Sequence, residues 1–502
     1  MRFKGELPAF SENIIEINKK LSSLHSIKFS SDREISNLIL KDMSLTNKLL
    51  KVVNSAFYGS MLGKVATISR AIFLLGFEKV RMAAASLIVF EYLQNKSEAE
   101  DLKDATLSSF FSAFIARDVA RGIQLRSSEE AFICALLHNL GKLLVICYFP
   151  EEYEEIKNII ALQSMDEQRA SRHVLGVSYS ELGIGITRTW NFPEIITSSM
   201  EIVDQPQEKI AETETDMMKS IANYANELSV LVTEADENRR NESLVALNEK
   251  YNRGIPFPFE RSAYLIADAV TEIDSYASMF KVNKEKSRFV RRLVTFCKET
   301  LPDDEKTASL LPDAPENSDH KSGTDSVTPS SAKDTQTALL KNSLVEIDDA
   351  LQSGSNMSQL LYMILETMYR GFEFNRVLIC MLNQSRTRMA ARFGFGENID
   401  DFISRFEFKI VRSSDFFNMA VLRRKDYLID DLMARGIREN LPDWYLKMVS
   451  VKSILIYPLI VKDNCIGLFY ADKKNAGILN EDQQGYMNIL RNKAILSILT
   501  KH

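Results

Sequence analysis

The spacing of apolar residues in this chain changes character twice. From residue 8 to about 300 they recur three and four positions apart, in short runs divided by capping and turn residues, which predicts consecutive helices. Ser31-Asp32-Arg33-Glu34 is a capping-box sequence ahead of Ile35, Leu38 and Ile39, and Ser44 is the expected cap for Leu45, Leu49, Val52 and Val53. Thr67 to Gly76 reads as cap, helix and glycine stop. Ala131 to Leu144 predicts one unbroken helix: Phe132, Leu136, Leu140, Leu143 and Cys147 form a stripe that Ile133, Leu137 and Leu144 widen. A helix apolar on nearly all sides belongs inside a domain, and Pro150 is expected to end it. Only His138, Asn139 and Lys142 interrupt its apolar character. Unpaired, a buried polar group costs about 1–3 kcal/mol, so these side chains need partners.

The pattern lapses between 301 and 336, where Pro, Asp, Ser, Thr and Asn dominate and no aromatic residue falls between Phe296 and Tyr362. Such a stretch buries too little apolar surface to offset its ordering entropy, which predicts a disordered linker. Beyond it, residues 340–371 predict a pair of amphipathic helices. Period-two or β-branched runs follow at Arg376–Leu382, Met389–Phe395 and Phe406–Val411. Ser453–Val461 and Cys465–Ala471, joined by Lys462-Asp463-Asn464, predict a hairpin, and Glu481 to about Leu499 a closing helix. Strands flanked by terminal helices imply an antiparallel α+β domain.

At 502 residues the chain is too long for one ordinary core. The boundaries expected are 1–230 for a helical domain, 231–300 for its helical extension, 301–336 for the linker and 337–502 for the α+β domain. A net charge of −6 gives no electrostatic reason to expect nucleic acid or an anionic membrane as partner. The helix Ala71 to Leu75 is apolar where a DNA-reading helix would offer Arg, Lys, Asn or Gln. Five scattered cysteines, mostly in apolar runs, suit buried thiols in a reducing compartment, and the expected location is cytoplasmic. Interrupted by His138, Asn139 and Lys142, the longest apolar run is not expected to span a membrane.

Two family likenesses rest on these motifs. Residues 7 to about 230 resemble the HDOD domain, a helical relative of the HD-superfamily metal phosphohydrolases found in bacterial signalling proteins. The likeness is carried by Glu6-Leu7-Pro8, Ile39-Leu40-Lys41-Asp42, Val53-Asn54-Ser55-Ala56-Phe57-Tyr58-Gly59 and Ala71-Ile72-Phe73-Leu74-Leu75-Gly76. Ala135-Leu136-Leu137-His138-Asn139-Leu140-Gly141-Lys142-Leu143 and Trp190-Asn191-Phe192-Pro193 complete it. Residues about 340–500 resemble a GAF domain, a PAS-like sensory module, through the hairpin, Lys473-Lys474 and Leu479-Asn480-Glu481-Asp482.

The departures from the HD pattern weigh as much as the match. HD enzymes hold metal with an upstream histidine, a His-Asp pair and a later aspartate. Here the pair is His138-Asn139, and no histidine lies between His25 and His138. Many HDOD sequences carry histidine where Tyr179 stands; His173 is the nearest substitute. An amide brings no charge to offset a divalent cation. The resemblance therefore implies a vestigial HD position at His138 and Asn139, with no catalytic residue, no metal and no cofactor. The function expected is non-catalytic signal transduction: a helical protein-interaction or scaffold module coupled to a GAF domain for sensing a small molecule or dimerising. A metal-dependent phosphohydrolase acting on a cyclic nucleotide or dinucleotide is the alternative. Phe395, Phe416, Tyr427 and Trp444 are the candidate GAF ligand-pocket residues, although plain core is the more ready reading of each. Leu490, Ile495, Ile498 and Leu499 suggest self-association into a homodimer through the closing helix.

Overall fold

The computed structural model describes residues 36, 39–40, 42–54, 65–97, 99–125, 127–206, 210–234, 236–258, 262–280, 282–300, 332–353 and 355–499. In chain order the first helices are α1 (Met43–Val52), α2 (Ile68–Leu75), α3 (Phe77–Lys96), α4 (Glu100–Gly122), α5 (Ser128–Leu137), α6 (Leu140–Tyr148) and α7 (Pro150–Gln163). They continue as α8 (Glu167–Leu175), α9 (Tyr179–Thr189), α10 (Glu194–Ser199), α11 (Glu214–Leu231), α12 (Glu237–Tyr251), α13 (Ser262–Met279) and α14 (Arg288–Thr300). After the predicted linker come α15 (Ala332–Gln352), α16 (Met357–Gly371), β1 (Arg376–Leu382), β2 (Arg388–Gly396), α17 (Ile399–Arg405), β3 (Glu407–Lys409) and α18 (Phe416–Arg423). The remainder is β4 (Tyr427–Ile429), α19 (Asp443–Leu446), β5 (Ser453–Val461), β6 (Asn464–Lys473) and α20 (Glu481–Leu499).

Two compact units result, and neither is one continuous stretch of chain. The first takes the described residues of Met1–Phe29, Asn47–Met61 and Glu78–Lys321; the second takes those of Ser30–Thr46, Leu62–Phe77 and Ser322–His502. The boundaries expected from sequence miss this interleaving, because composition cannot reveal which unit a short helix packs into.

In the helical unit, α4 is the centre. Phe110 meets Phe90 at 5.4 Å and Tyr276 at 4.8 Å between ring centres, and Phe114 meets Phe132 at 5.5 Å. All five rings are essentially buried. Aromatic pairs of this kind are worth about 0.5–1.5 kcal/mol beyond the area they bury. The helix expected over 131–144 is buried as predicted but not continuous: α5 ends at Leu137, His138 and Asn139 form a turn, and α6 starts at Leu140. By length and composition Ser128–Tyr148 could cross a membrane, yet most of it lies within the bundle core. Asp42, not Ser44, caps the segment that follows, accepting from the Leu45 amide at 3.0 Å. Thr67 does cap α2, and Gly76 ends it at φ 85°. The Ser31–Glu34 capping box, the 55–59 motif and residues 301–331 of the linker lie outside the described residues. Residues 332–336, expected in the linker, open α15 instead.

The second unit is built on a six-stranded sheet in the order β3-β2-β1-β6-β5-β4, antiparallel throughout. The β5–β6 hairpin pairs Val461 with Asn464, so its turn is two residues, Lys462-Asp463, not the three expected. Both have positive φ, 44° and 61°, as the primed turns that match strand twist require. The third predicted strand shrinks to Glu407–Lys409. The start of α2 is held in this unit by buried carboxylates. Glu366 of α16 accepts from the Ile68 and Ser69 amides at 2.5 and 2.8 Å and from the Ser69 hydroxyl at 2.6 Å. Glu346 of α15 accepts from the Ala66 amide at 2.6 Å, and Arg370 donates to the Ala66 carbonyl at 2.6 Å. Carboxylates at a helix N-terminus satisfy amides that have no partner within the helix.

Candidate functional site

The turn between α5 and α6 is where the sequence placed its two exceptional side chains, and the geometry explains why the helix breaks there. Gly141, one residue into α6, packs so closely on α9 that a Cβ would stand 1.9 Å from the Tyr179 carbonyl oxygen. Only glycine permits that backbone approach. The break frees the Ala135 carbonyl, which accepts from His138 N at 3.3 Å and from the Asn226 side-chain amide of α11 at 3.1 Å. Asn226 also donates to the Ala222 carbonyl at 2.8 Å, and its oxygen accepts from Asn139 at 2.7 Å and from Ser112 at 3.0 Å. Asn139 is thus locked to α11 by a fully oriented amide pair.

His138 is only 8% exposed, and its Nδ1 lies 2.9 Å from the Ser199 carbonyl. A carbonyl can only accept, so Nδ1 carries the proton and Nε2 keeps its lone pair. Burial pushes the ring's pKa down to about 4, opposed by the bond to Ser199, so the imidazole is neutral at ordinary pH.

Both residues line a cleft of about 590 Å³ in the helical unit. Asn223 and Asn226 complete its floor; ion pairs form its rim. Lys142 meets Glu167 at 2.6 Å, Lys157 meets Asp101 at 2.8 Å, and Arg288 meets Asp101 at 2.8 Å. Burial opposes the charge on Lys142, but Glu167 outweighs it and the ammonium's pKa is raised. Asp104 binds the Ser287 hydroxyl and the Arg288 amide at the start of α14. The sequence reading missed the rim residues, which converge from distant helices. Asn223 and Asn226 carried a usable signal: two amides three apart on the buried face of an Ala-, Ile- and Tyr-rich helix. His173 is exposed on α8 and is not among the residues lining the cleft, and the buried Tyr179 hydroxyl has no hydrogen-bond partner among the described residues.

These donors do not fit a divalent metal of the HD type. Asn139 offers only an uncharged amide oxygen, and no group of three His, Cys, Asp or Glu converges as ligands among the described residues.

In the α+β unit the four candidate pocket residues do not come together. Phe395 packs against Tyr362 and Tyr369 of α16, at 6.1 and 6.4 Å. Phe416 meets Tyr427 at 5.2 Å, while Trp444 stacks on Phe408 at 5.7 Å and meets Phe406 edge-on at 5.4 Å. Those three belong to the core cluster on which α17 and α18 pack; Phe395 does not. A cleft of about 300 Å³ in this unit is lined by Met381, Asn383, Arg386, Cys465, Ile466 and Leu499, with none of the four. Beside the aromatic cluster runs a buried polar chain, Tyr445 to Tyr470 at 2.9 Å, Tyr470 to Asp472 at 2.6 Å and Arg376 to Asp472 at 2.9 Å.

The sequence profile of the HDOD domain matches residues 7–206. An uncharacterized protein of Treponema pallidum (strain Nichols) is 26% identical over 196 residues, which is 39% of this chain and 37% of the relative. The chain thus spans little more than a third of that relative's length. Among solved structures, an HDOD domain protein from Geobacter sulfurreducens is 18% identical with a TM-score of 0.38, covering 53% of this chain and 91% of its own. The GAF domain of an Acinetobacter phosphoenolpyruvate-protein phosphotransferase is 14% identical with a TM-score of 0.28, covering 32% of this chain and 93% of its own. Residues 7–206 of this chain are an HDOD domain, and the region that follows is α+β with an antiparallel sheet.

Proposed function

We propose that this chain is a non-catalytic, cytoplasmic signal-transduction protein whose HDOD domain binds other signalling proteins and whose GAF-like region senses a small molecule or pairs two copies. The observation that carries the reading is the Asn139–Asn226 amide pair. It stands where a metal-binding carboxylate would be needed, and all of its orientation is devoted to tying α11 to the α5–α6 turn. A buried amide pair of this kind specifies one packing arrangement and puts an uncharged group at the position where a Lewis acid would need a carboxylate. Free cysteines at 134, 147, 297, 380 and 465 support the reducing compartment. Self-pairing draws support from α20, though only Leu499 of the expected residues is among its exposed large apolar side chains. Leu490 and Ile498 are buried in the chain's own core, whereas Ile489, Leu496 and Leu499 are 43, 51 and 43% exposed.

The test is elemental analysis of the purified chain, with an assay of phosphoesters, cyclic nucleotides and cyclic dinucleotides in added Mn and Mg. No stoichiometric metal and no turnover are expected. About one Zn, Mn or Fe per chain, lost on His138→Ala together with measurable turnover, would establish the phosphohydrolase alternative instead.

A further inference from the structure

We infer that the cleft at the HDOD turn is a binding site for an organic cation, a guanidinium or alkylammonium group, with His138 Nε2 as the hydrogen-bond acceptor at its floor. This rests on the non-catalytic reading of the same cleft and adds the chemistry of its occupant. The first support is the state of the floor. Asn226 has both of its protons and its oxygen in use, and Asn223 donates to the Glu201 and Lys219 carbonyls while accepting from the Val203 amide. What remains among the described residues is the bare Nε2 of His138, a side chain nine-tenths buried that lines the cleft and has no second partner there, and the free oxygen of Asn139. Both are acceptors, beside one spare amide proton of Asn139. An ionised carboxylate, which can only accept, would set its lone pairs against that of Nε2; a cationic N–H completes it.

Charge at the rim points the same way. Six carboxylates and four cations line the cleft. All four cations are engaged: Lys142 with Glu167, Lys157 with Asp101 and Glu154, Arg288 with Asp101, and Arg292 with the Thr233 carbonyl at 2.6 Å. Arg169 and Lys250, from outside the lining, answer Asp166 and Glu227. Asp204 is exposed at the rim and makes no hydrogen bond or ion pair among the described residues. With Glu154 counted as well, these groups leave one negative charge in excess, and Asp204 is its accessible bearer. A cationic group therefore meets an acceptor at the floor and a counter-charge at the mouth, at no cost to an existing pair. The volume, about 590 Å³, suits a small molecule or the tip of a peptide.

A free polyamine and a basic side chain of a partner protein share this chemistry, so the experiment presents both. Agmatine, spermidine, acetyl-Ala-Arg-Ala-amide and inorganic phosphate are titrated into the full chain. Calorimetry and the ring-nitrogen signals of 15N-histidine label are followed; five histidines keep the spectrum tractable. The expected result is that at least one of the cations binds and shifts the Nε2 signal of His138, while phosphate does not. Asp204→Asn, at an exposed position that should leave the fold intact, should weaken that binding at least about tenfold, the worth of one charge-assisted contact. His138→Gln should abolish it. Agmatine binding points to the free metabolite class and tripeptide binding alone to a protein partner. Cation binding unaffected by both substitutions, a His138 signal that answers only to phosphate, or no binding by any cation would overturn the inference. Metal-dependent hydrolysis would instead overturn the non-catalytic reading, so the two failures are told apart.

Discussion

Replacing Glu366 by alanine should unfold the α+β unit far more readily than any surface change. In the folded chain this fully buried carboxylate accepts from two amides and a hydroxyl at the start of α2 and lies 3.6 Å from Arg370. Truncation strands those donors and leaves the guanidinium, itself only 8% exposed, without its nearest counter-charge. Removing one partner of a buried pair costs about 3–5 kcal/mol, most of it from the uncompensated charge left behind. With a urea m-value of about 2 kcal/mol/M, a loss of about 3 kcal/mol lowers the midpoint by about 1.5 M. The two tryptophans make the assay specific to one unit, because Trp190 lies in the helical unit and Trp444 in the α+β unit. In a Trp190→Phe background, Trp444 fluorescence follows the second unit alone. Glu366→Gln, which keeps one acceptor oxygen, should lose less. A Trp444 midpoint unmoved by Glu366→Ala would refute the reasoning, since it would mean that α2 is not held by this carboxylate.

Four further outcomes follow from other features. Asn139→Asp sets a carboxylate against the Asn226 oxygen and cannot recruit Lys142, which is bound to Glu167, so thermal melting should report a loss of about 1–3 kcal/mol without any gain of phosphodiesterase activity. Gly141→Ala drives a methyl into the Tyr179 carbonyl and should cost at least as much as ordinary overpacking, about 1–3 kcal/mol by chemical denaturation; a neutral result would mean that α6 and α9 can part freely. Burial raises the pKa of Glu346 from 4.5 to about 8, so the unfolded state sheds this proton first and the stability of the α+β unit should fall as pH rises from about 4.5 to 8; Glu346→Gln should flatten that slope in Trp444-monitored denaturation. Trypsin cutting at Lys306 or Lys321 should leave fragments that co-elute in gel filtration, because Ala66, Ile68 and Ser69 stay bonded to Glu346 and Glu366; separation without denaturant would contradict this.

Most elements were legible in the sequence because their signals are local. The period-two run at 376–382 is β1 to the residue, and the Glu481–Leu499 helix falls where predicted. What escaped was set by contacts between distant positions. The turn at His138-Asn139 arises from a glycine pressed on Tyr179, forty residues on, and apolar periodicity runs through it unbroken. The Glu346 and Glu366 clamp was invisible for the same reason: in sequence, each is an ordinary acid on an amphipathic helix. His138 and Asn139 stood out early because polar atoms in an apolar run must be answered. Their answering residues, Ser199 and Asn226, lie too far along the chain for apolar spacing to reveal.

The order of strands in the sheet has a consequence for assembly. Its long members, β2, β1, β6 and β5, lie in the interior, and the outermost strands β3 and β4 are three residues each. A seventh strand seeking to pair with β3 or β4 would find only a stub on either side, and a stub of that length cannot fix register. Growth by strand addition at β3 or β4, the route by which exposed sheets run on into fibres, is therefore disfavoured, which leaves the helices and loops of this unit as the favoured surfaces for lasting association.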